Sequence, residues 1–289
     1  MGSGRPNAVV TVACASLAAA LLAAPAPAAA DHEPYSIFNP VPDDQMRDFA
    51  TDRPTKSNVP YTVPAGHFQY ETDLFNLSFQ MSGSTGTEVF LFTNPTAKIG
   101  LTNNVDLEVN MAPFESVHTF DRAAGTSTMV AGPGDLYTRL KINLWGNDGG
   151  NSAFALIPYV KTPTAAPGIG NGAYEGGVIA PLSFSLSNGF TLLFNSEADS
   201  LKDSLDDGHH ANFINLVNLS KQVIKDVTVY AELWSDVNRD PLNPVTQYSF
   251  DTAIEWIVRK NLQLDCGINF GLNRETPAVQ FYVGMAQRF

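Results

Sequence analysis

Asp106 and Glu108 stand two places apart, and so do Arg139 and Lys141 further along the chain. In an extended chain that spacing puts like charges on one side. Laid next to each other, the two stretches would set carboxylates against cations. Unpaired across water, such charges make a transverse field that sorts solutes. Paired, they close an interior by ionic cross-links. Both readings stay open. Asp135, Glu197, Glu232 and Asp265 occupy similar alternating stretches, and they join Asp106, Glu108, Arg139 and Lys141 as candidates for lining a constriction.

Other constellations offer less chemistry. Asp203, Asp206, Asp207, His209 and His210 have the residue types for a divalent cation, but not the Gly and Glu spacing of an EF-hand. They read as a solvated acidic loop, and no metal site is expected. Ser116 and His118 are a nucleophile and a base without an obvious carboxylate or amide to orient them. His67 begins a strand beside Gly66 and adds nothing to that pair. With no Gly-rich phosphate loop and no Cys/His zinc spacing, the reading is of a protein that is not an enzyme, with no catalytic residues and no cofactor.

The elements that carry these residues repeat with a period of two. Val105, Leu107, Val109 and Met111 oppose Asp106, Glu108 and Asn110. Residues 135–145, 262–272 and 279–286 alternate in the same way. Weaker candidates fill 67–79, 88–101, 153–162, 176–187, 189–199, 210–221, 226–235 and 246–258. About twelve strands result, several near the roughly ten residues of a tilted membrane strand. Connections alternate in length. Thr102-Asn103-Asn104, Asn147-Asp148-Gly149-Gly150, Ser187-Asn188-Gly189 and Arg259-Lys260-Asn261 are tight. The segments 112–134, 163–175, 200–209 and 236–245 are long. Short turns on one rim and long loops on the other are what an outer-membrane barrel requires. Within 112–134, Phe114 and Phe120 are the candidates for a loop folded inward as a gate.

Bulk properties agree. Arg5 precedes the apolar run from Ala8 to Ala24, and Ala28-Ala29-Ala30 supply small residues, so residues 1–30 read as a cleaved secretory signal peptide. Charged residues make up 16% of the chain, below the roughly 25% usual in soluble domains. The net charge of −12 argues against a nucleic-acid partner. After residue 30 only Cys266 remains as a cysteine, which excludes an intrachain disulfide. Twelve strands enclose more space than side chains fill easily, since about eight already suffice for a packed interior. The polar face is therefore expected inside and the Leu, Val, Ile and Phe face against lipid. Residues 31–66, rich in proline, read as an irregular periplasmic segment or plug, and 67–289 as the barrel. Arg53 and Lys56 are placed to pair with lumen carboxylates.

Several blocks also resemble a known family. They are Asp52-Arg53-Pro54-Thr55-Lys56-Ser57 with Tyr61 to Glu71, Gly134-Asp135-Leu136 through Lys141, Tyr230-Ala231-Glu232-Leu233, Leu262-Gln263-Leu264-Asp265 and the terminal Gln287-Arg288-Phe289. Together they resemble the bacterial outer-membrane transporter family named for the meta-pathway of phenol degradation, across nearly the whole chain after residue 30. The resemblance implies an outer-membrane β-barrel that passes small, often aromatic or hydrophobic, molecules. It implies outer-membrane lipid and a small solute as partners. Phe289 resembles the terminal signal read by barrel-assembly machinery, although Gln287 departs from the residue usual two places earlier. The expectation is an all-β, up-and-down transmembrane barrel acting as a passive channel. A non-conducting structural barrel and a lipid-modifying barrel enzyme are the alternatives. The solute and the oligomeric state are left open by the sequence.

Overall fold

The computed structural model describes residues 35–205 and 207–289. The expected signal peptide lies outside the described residues. The chain from Phe68 onward is almost entirely antiparallel strand. The first seven strands are β1 (Phe68–Ser82), β2 (Thr85–Leu91), β3 (Thr96–Thr102), β4 (Val105–Asn110), β5 (Glu115–Asp121), β6 (Thr126–Gly132) and β7 (Leu136–Trp145). Then come β8 (Ser152–Thr162), β9 (Glu175–Ser185), β10 (Phe190–Lys202), β11 (His209–Ile224), β12 (Val227–Asn238), β13 (Val245–Arg259), β14 (Leu262–Gly271) and β15 (Val279–Arg288).

The sheet closes where β15 pairs back onto β1, with Gln69 opposite Arg288 and Phe79 opposite Val279. On its other side β1 is shared: its lower part pairs with β3 and its upper part with β2. β2 with β3, β4 with β5, and β6 with β7 each make one stave of the wall. The fifteen segments therefore form a closed barrel of 12 strands.

Three prolines explain the interruptions. Pro95, Pro113 and Pro133 fall in the breaks of three neighbouring staves, and a proline has no N–H for the ladder. The breaks lie at one height, because backbone bonds join them: Phe92 N–H to Phe114 O at 3.1 Å, Met111 N–H to Pro95 O at 3.3 Å, and Gly134 N–H to Ala112 O at 2.8 Å. This kinked belt corrects two readings. Residues 88–101 are two strands, and 112–134 is mostly the β5–β6 hairpin rather than a loop. The hairpin rises past the apolar band, so neither face needs to be uniformly apolar and alternation alone does not reveal it. Phe114 and Phe120 do not fold into the lumen. Phe120 is in register with Gly86, and Phe114 packs on Phe90 at 6.4 Å, which puts both on the outer face.

The barrel is inverted relative to a soluble protein. Leu233 is 57% exposed and Trp256 52%, whereas Glu232 is 1% and Asp251 0% exposed. Register extends this across the sheet: Glu232 opposes Asp251, Asp251 opposes Asn269, and Asn269 opposes Gln280, all on the inner face. Phe250, Ile254, Leu264, Phe270 and Phe281 stand on the outer face, where only lipid can cover them. Tight turns at one rim, such as Asp226 with positive φ, oppose longer loops at the other. A bulge between Asp73 and Phe75 lets β1 switch parity, which accounts for the change of pattern within 67–79.

Candidate functional site in the barrel lumen

Residues 51–64 cross the lumen and are held by side chains from most of the wall. Their prolines prevent regular structure, so their backbone groups need partners from elsewhere. The wall supplies them as inward amides and carboxylates. The Asn195 amide accepts the Asn58 N–H at 2.8 Å and donates to the Asn58 carbonyl at 2.9 Å. Asn143 donates to the Pro60 carbonyl at 2.8 Å, and Asp106 accepts the Val63 N–H at 2.9 Å. Ala153, Ala155, Ile157 and Ile179 form a small buried apolar patch on β8 and β9.

Three ion clusters fix the segment. Asp52 accepts from Lys141 at 2.8 Å and from Lys98, while Glu108 and Glu71 flank the same two ammonium groups at 3.1 and 2.6 Å. Burial by itself would raise the Asp52 carboxyl, but Lys141 and Lys98 overcome it and hold the group well below the usual carboxylate range. Arg53 grips Asp265 with two donors, at 3.1 and 2.6 Å, and reaches Asp73 at 2.5 Å. Burial weakens its positive charge, and Asp265 and Asp73 more than restore it. Gly284 makes room: a Cβ there would overlap the guanidinium. Lys56 lies 3.1 Å from Asp251 and 4.0 Å above the Trp234 ring, with burial lowering its proton affinity despite the carboxylate.

The candidate residues separate into groups. Asp106, Glu108, Lys141, Glu232 and Asp265 all face this segment. Asp135 instead pairs with Lys161 at 3.1 Å and anchors residues 163–174. Glu197 is on β10, two places from Asp199, and makes no ion pair with the segment among the described residues. Glu108 is in register with Arg139, and Asp106 with Lys141, as the side-by-side spacing requires. The ion pair nonetheless runs diagonally, from Glu108 to Lys141. Among the described residues no carboxylate lies within 4.0 Å of the Arg139 guanidinium, and its Nε has no hydrogen-bond partner. Sequence reasoning missed Lys98, Asn195, Asn218 and the bond partners of Asp52. Lys98 fell in a stretch whose alternation is broken by Gly100 and Pro95. The amides were passed over because they carry no charge.

Above the segment the lumen holds open space. A cavity of about 340 Å³ is edged by Arg53, Asn76, Asn110, Arg139 and Tyr282. A second, of about 410 Å³, shares Asn94 and Asn110 with it and reaches the kinked belt. A third, of about 350 Å³, shares Asn171 with the second and opens between the long loops. In those loops Asp203, His210 and Asp240 converge, with Asp240 brought in from a connection the sequence did not associate with them. Asp240 already accepts from Ser204, Leu242 and Asn243, and so serves as a loop anchor.

These features define an outer-membrane β-barrel whose lumen is occupied, toward the rim of tight turns, by its own N-terminal segment. The chain belongs to the family described as "Putative MetA-pathway of phenol degradation", whose model matches residues 51–289. Among solved structures, an outer membrane channel from Pseudomonas putida F1 superposes with a TM-score of 0.63 at 13% identity, covering 82% of this chain and 100% of that one. The translocator domain of the autotransporter NalP from Neisseria meningitidis gives a TM-score of 0.45 at 11% identity, covering 77% and 88%. No curated protein sequence matches the chain.

Proposed function

We propose that this protein is a passive outer-membrane channel for small aromatic or hydrophobic molecules, driven by the solute's own gradient. The series of three cavities from the long loops down to residues 51–64 carries this reading. A channel from Pseudomonas putida F1 with the same fold supports it. Small phenols suit the deepest cavity: Tyr282 lines its wall, and Arg139, which makes no hydrogen bond among the described residues, offers donors to a hydroxyl. Residues 31–66 act as a plug, and the ion clusters set how firmly it stays in place. The occupied lumen also favours a second reading, a structural barrel that does not conduct.

Single-channel recording in planar bilayers, together with phenol uptake by loaded liposomes, separates the two. A channel shows uptake above empty liposomes and larger conductance when Arg53→Gln loosens the segment. Absence of both, in the native protein and in the variant, would overturn the transport reading.

A further inference from the structure

The outer face of the extracellular hairpins carries a serine, a histidine and a glutamate in hydrogen-bond sequence. His118 on β5 stands directly across from Glu88 on β2 and Met129 on β6, and Ser127 is opposite Phe120, two places along. All lie on one face of the sheet, because residues two apart on a strand share a side. The Ser127 hydroxyl lies 2.8 Å from His118 Nε2, and Glu88 Oε2 lies 3.1 Å from His118 Nδ1. With Glu88 accepting the Nδ1–H, the bare Nε2 accepts the Ser127 hydroxyl. Ser116, the serine that sequence reading set beside His118, is buried and makes no bond to it. The missing orienter comes from β2, and the nucleophile from β6.

We propose that Ser127, His118 and Glu88 form a serine-hydrolase triad that cleaves long-chain acyl esters at the outer surface of the barrel. Location selects this substrate class. Glu88 is in register with Phe79 on β1, on the face where Leu77, Phe75 and Phe90 look into lipid. From Phe68 to Phe79 a tilted strand climbs roughly 27 Å, against an apolar band of roughly 25 Å. That places the triad at the upper edge of the apolar band, near the headgroups, with the tip of the hairpin above it. Beside it Met129 is 65% exposed, and Phe120 stacks 5.5 Å from His118. Arg122 lies 5.5 Å above the Phe120 ring, a cation within reach of a lipid phosphate.

The reaction balances with water as the second reactant. Ser127 Oγ attacks the ester carbonyl as its proton passes to His118 Nε2. The carbon–oxygen bond to the alcohol breaks, and the alcohol leaves with that proton. Water, deprotonated by His118, then attacks the acyl-serine, releasing the fatty acid and returning the proton to Ser127. The oxyanion is met at the sheet edge. Among the described residues β6 pairs with β5 alone, so alternate backbone N–H groups beside Ser127 point outward. Residues 163–174 cover this edge lower down, with Gly168 against Val130 and Ala166 against Gly132.

Such a trio would also serve simply to tie three strands together, so the test must read chemistry. The intact barrel, refolded in detergent, is treated with a fluorophosphonate probe and mapped by mass spectrometry. Fatty-acid release is then measured from vesicles of phosphatidylethanolamine and, separately, from lipopolysaccharide, which share the acyl ester. The expected result is a label on Ser127 and release from at least one lipid. Both should fall at least about a thousandfold in Ser127→Ala and His118→Ala, with Ser116→Ala unaffected. Glu88 acts as a positioning residue: Glu88→Gln should lower the rate about a hundredfold and alter the pH–rate profile, and Glu88→Asp should recover part of it. Unchanged heat-modifiable gel mobility shows that the variants fold. An unlabelled barrel that releases fatty acid from neither lipid, or release that survives Ser127→Ala, would overturn the proposal.

Discussion

Replacing Asp52 by Asn removes the acceptor that Lys98 and Lys141 share. Both ammonium groups are deeply buried, at 2% and 1% exposure, so neither can turn to water. Breaking a buried pair costs roughly 3–5 kcal/mol, mostly from the charge left behind. Here the lysines keep Glu71 and Glu108, and Asp106 lies beside them, so four carboxylates surround two cations. Losing one acid moves the cluster toward balance and places the cost near the low end, about 3 kcal/mol. At roughly 1.4 kcal/mol per tenfold, the docked-to-released ratio of residues 51–64 should fall about a hundredfold. Lys98→Met acts in the other direction, deepening the excess of negative charge, and should cost more, about 5 kcal/mol. Amide hydrogen exchange at Val59 and Val63, whose N–H groups bond to Asp52 and Asp106, reads the release site by site. The expected order of exchange is native slowest, then Asp52→Asn, then Lys98→Met. Equal protection in all three, or the reverse order of the variants, would refute the reasoning.

Acid should release the segment at the bottom of the pH scale. Asp52 titrates below its free value, so its stabilisation is complete above a free pKa of about 3.9 and disappears as pH falls through the lower docked value. The protection factor of the Val59 amide, measured against its intrinsic exchange rate at each pH, should therefore stay flat from pH 8 to 5 and fall only in strong acid. Gly284→Ala should also raise bilayer conductance, since its methyl group would overlap the Arg53 guanidinium as well as the Thr72 carbonyl, and recording it beside Arg53→Gln checks this. Leu219→Arg, on the lipid face of β11, should cost about 2–4 kcal/mol in refolding titrations into bilayers, depending on depth.

The barrel was legible in the sequence because its constraint is strictly periodic. Val105 to Met111 and Leu262 to Leu272 must alternate when one side meets lipid and the other water. The kinked belt was not, because its cause is spread over Pro95, Pro113 and Pro133, which become neighbours only once the staves are paired. The β5–β6 hairpin was hidden because it rises past the lipid and escapes the rule. Within the lumen, the charged residues announced themselves and Arg53 and Lys56 could be matched to carboxylates in general terms. Which carboxylate each would take was not readable. Glu108 bonds diagonally to Lys141 because Asp52, from a segment with no period at all, draws both lysines together. Ser127 escaped notice because its partners lie on two other strands.

The Asn195 amide clasps the Asn58 backbone from both sides, which sets these two segments side by side. Asn58→Cys with Asn195→Cys, in a Cys266→Ser background, therefore offers a direct measurement on the assembled barrel in planar bilayers. The prediction is that oxidation cross-links the pair and lowers conductance, and that a reductant restores it. Failure of the cross-link to form, or conductance indifferent to it, would contradict an N-terminal segment that sits in the lumen and governs passage.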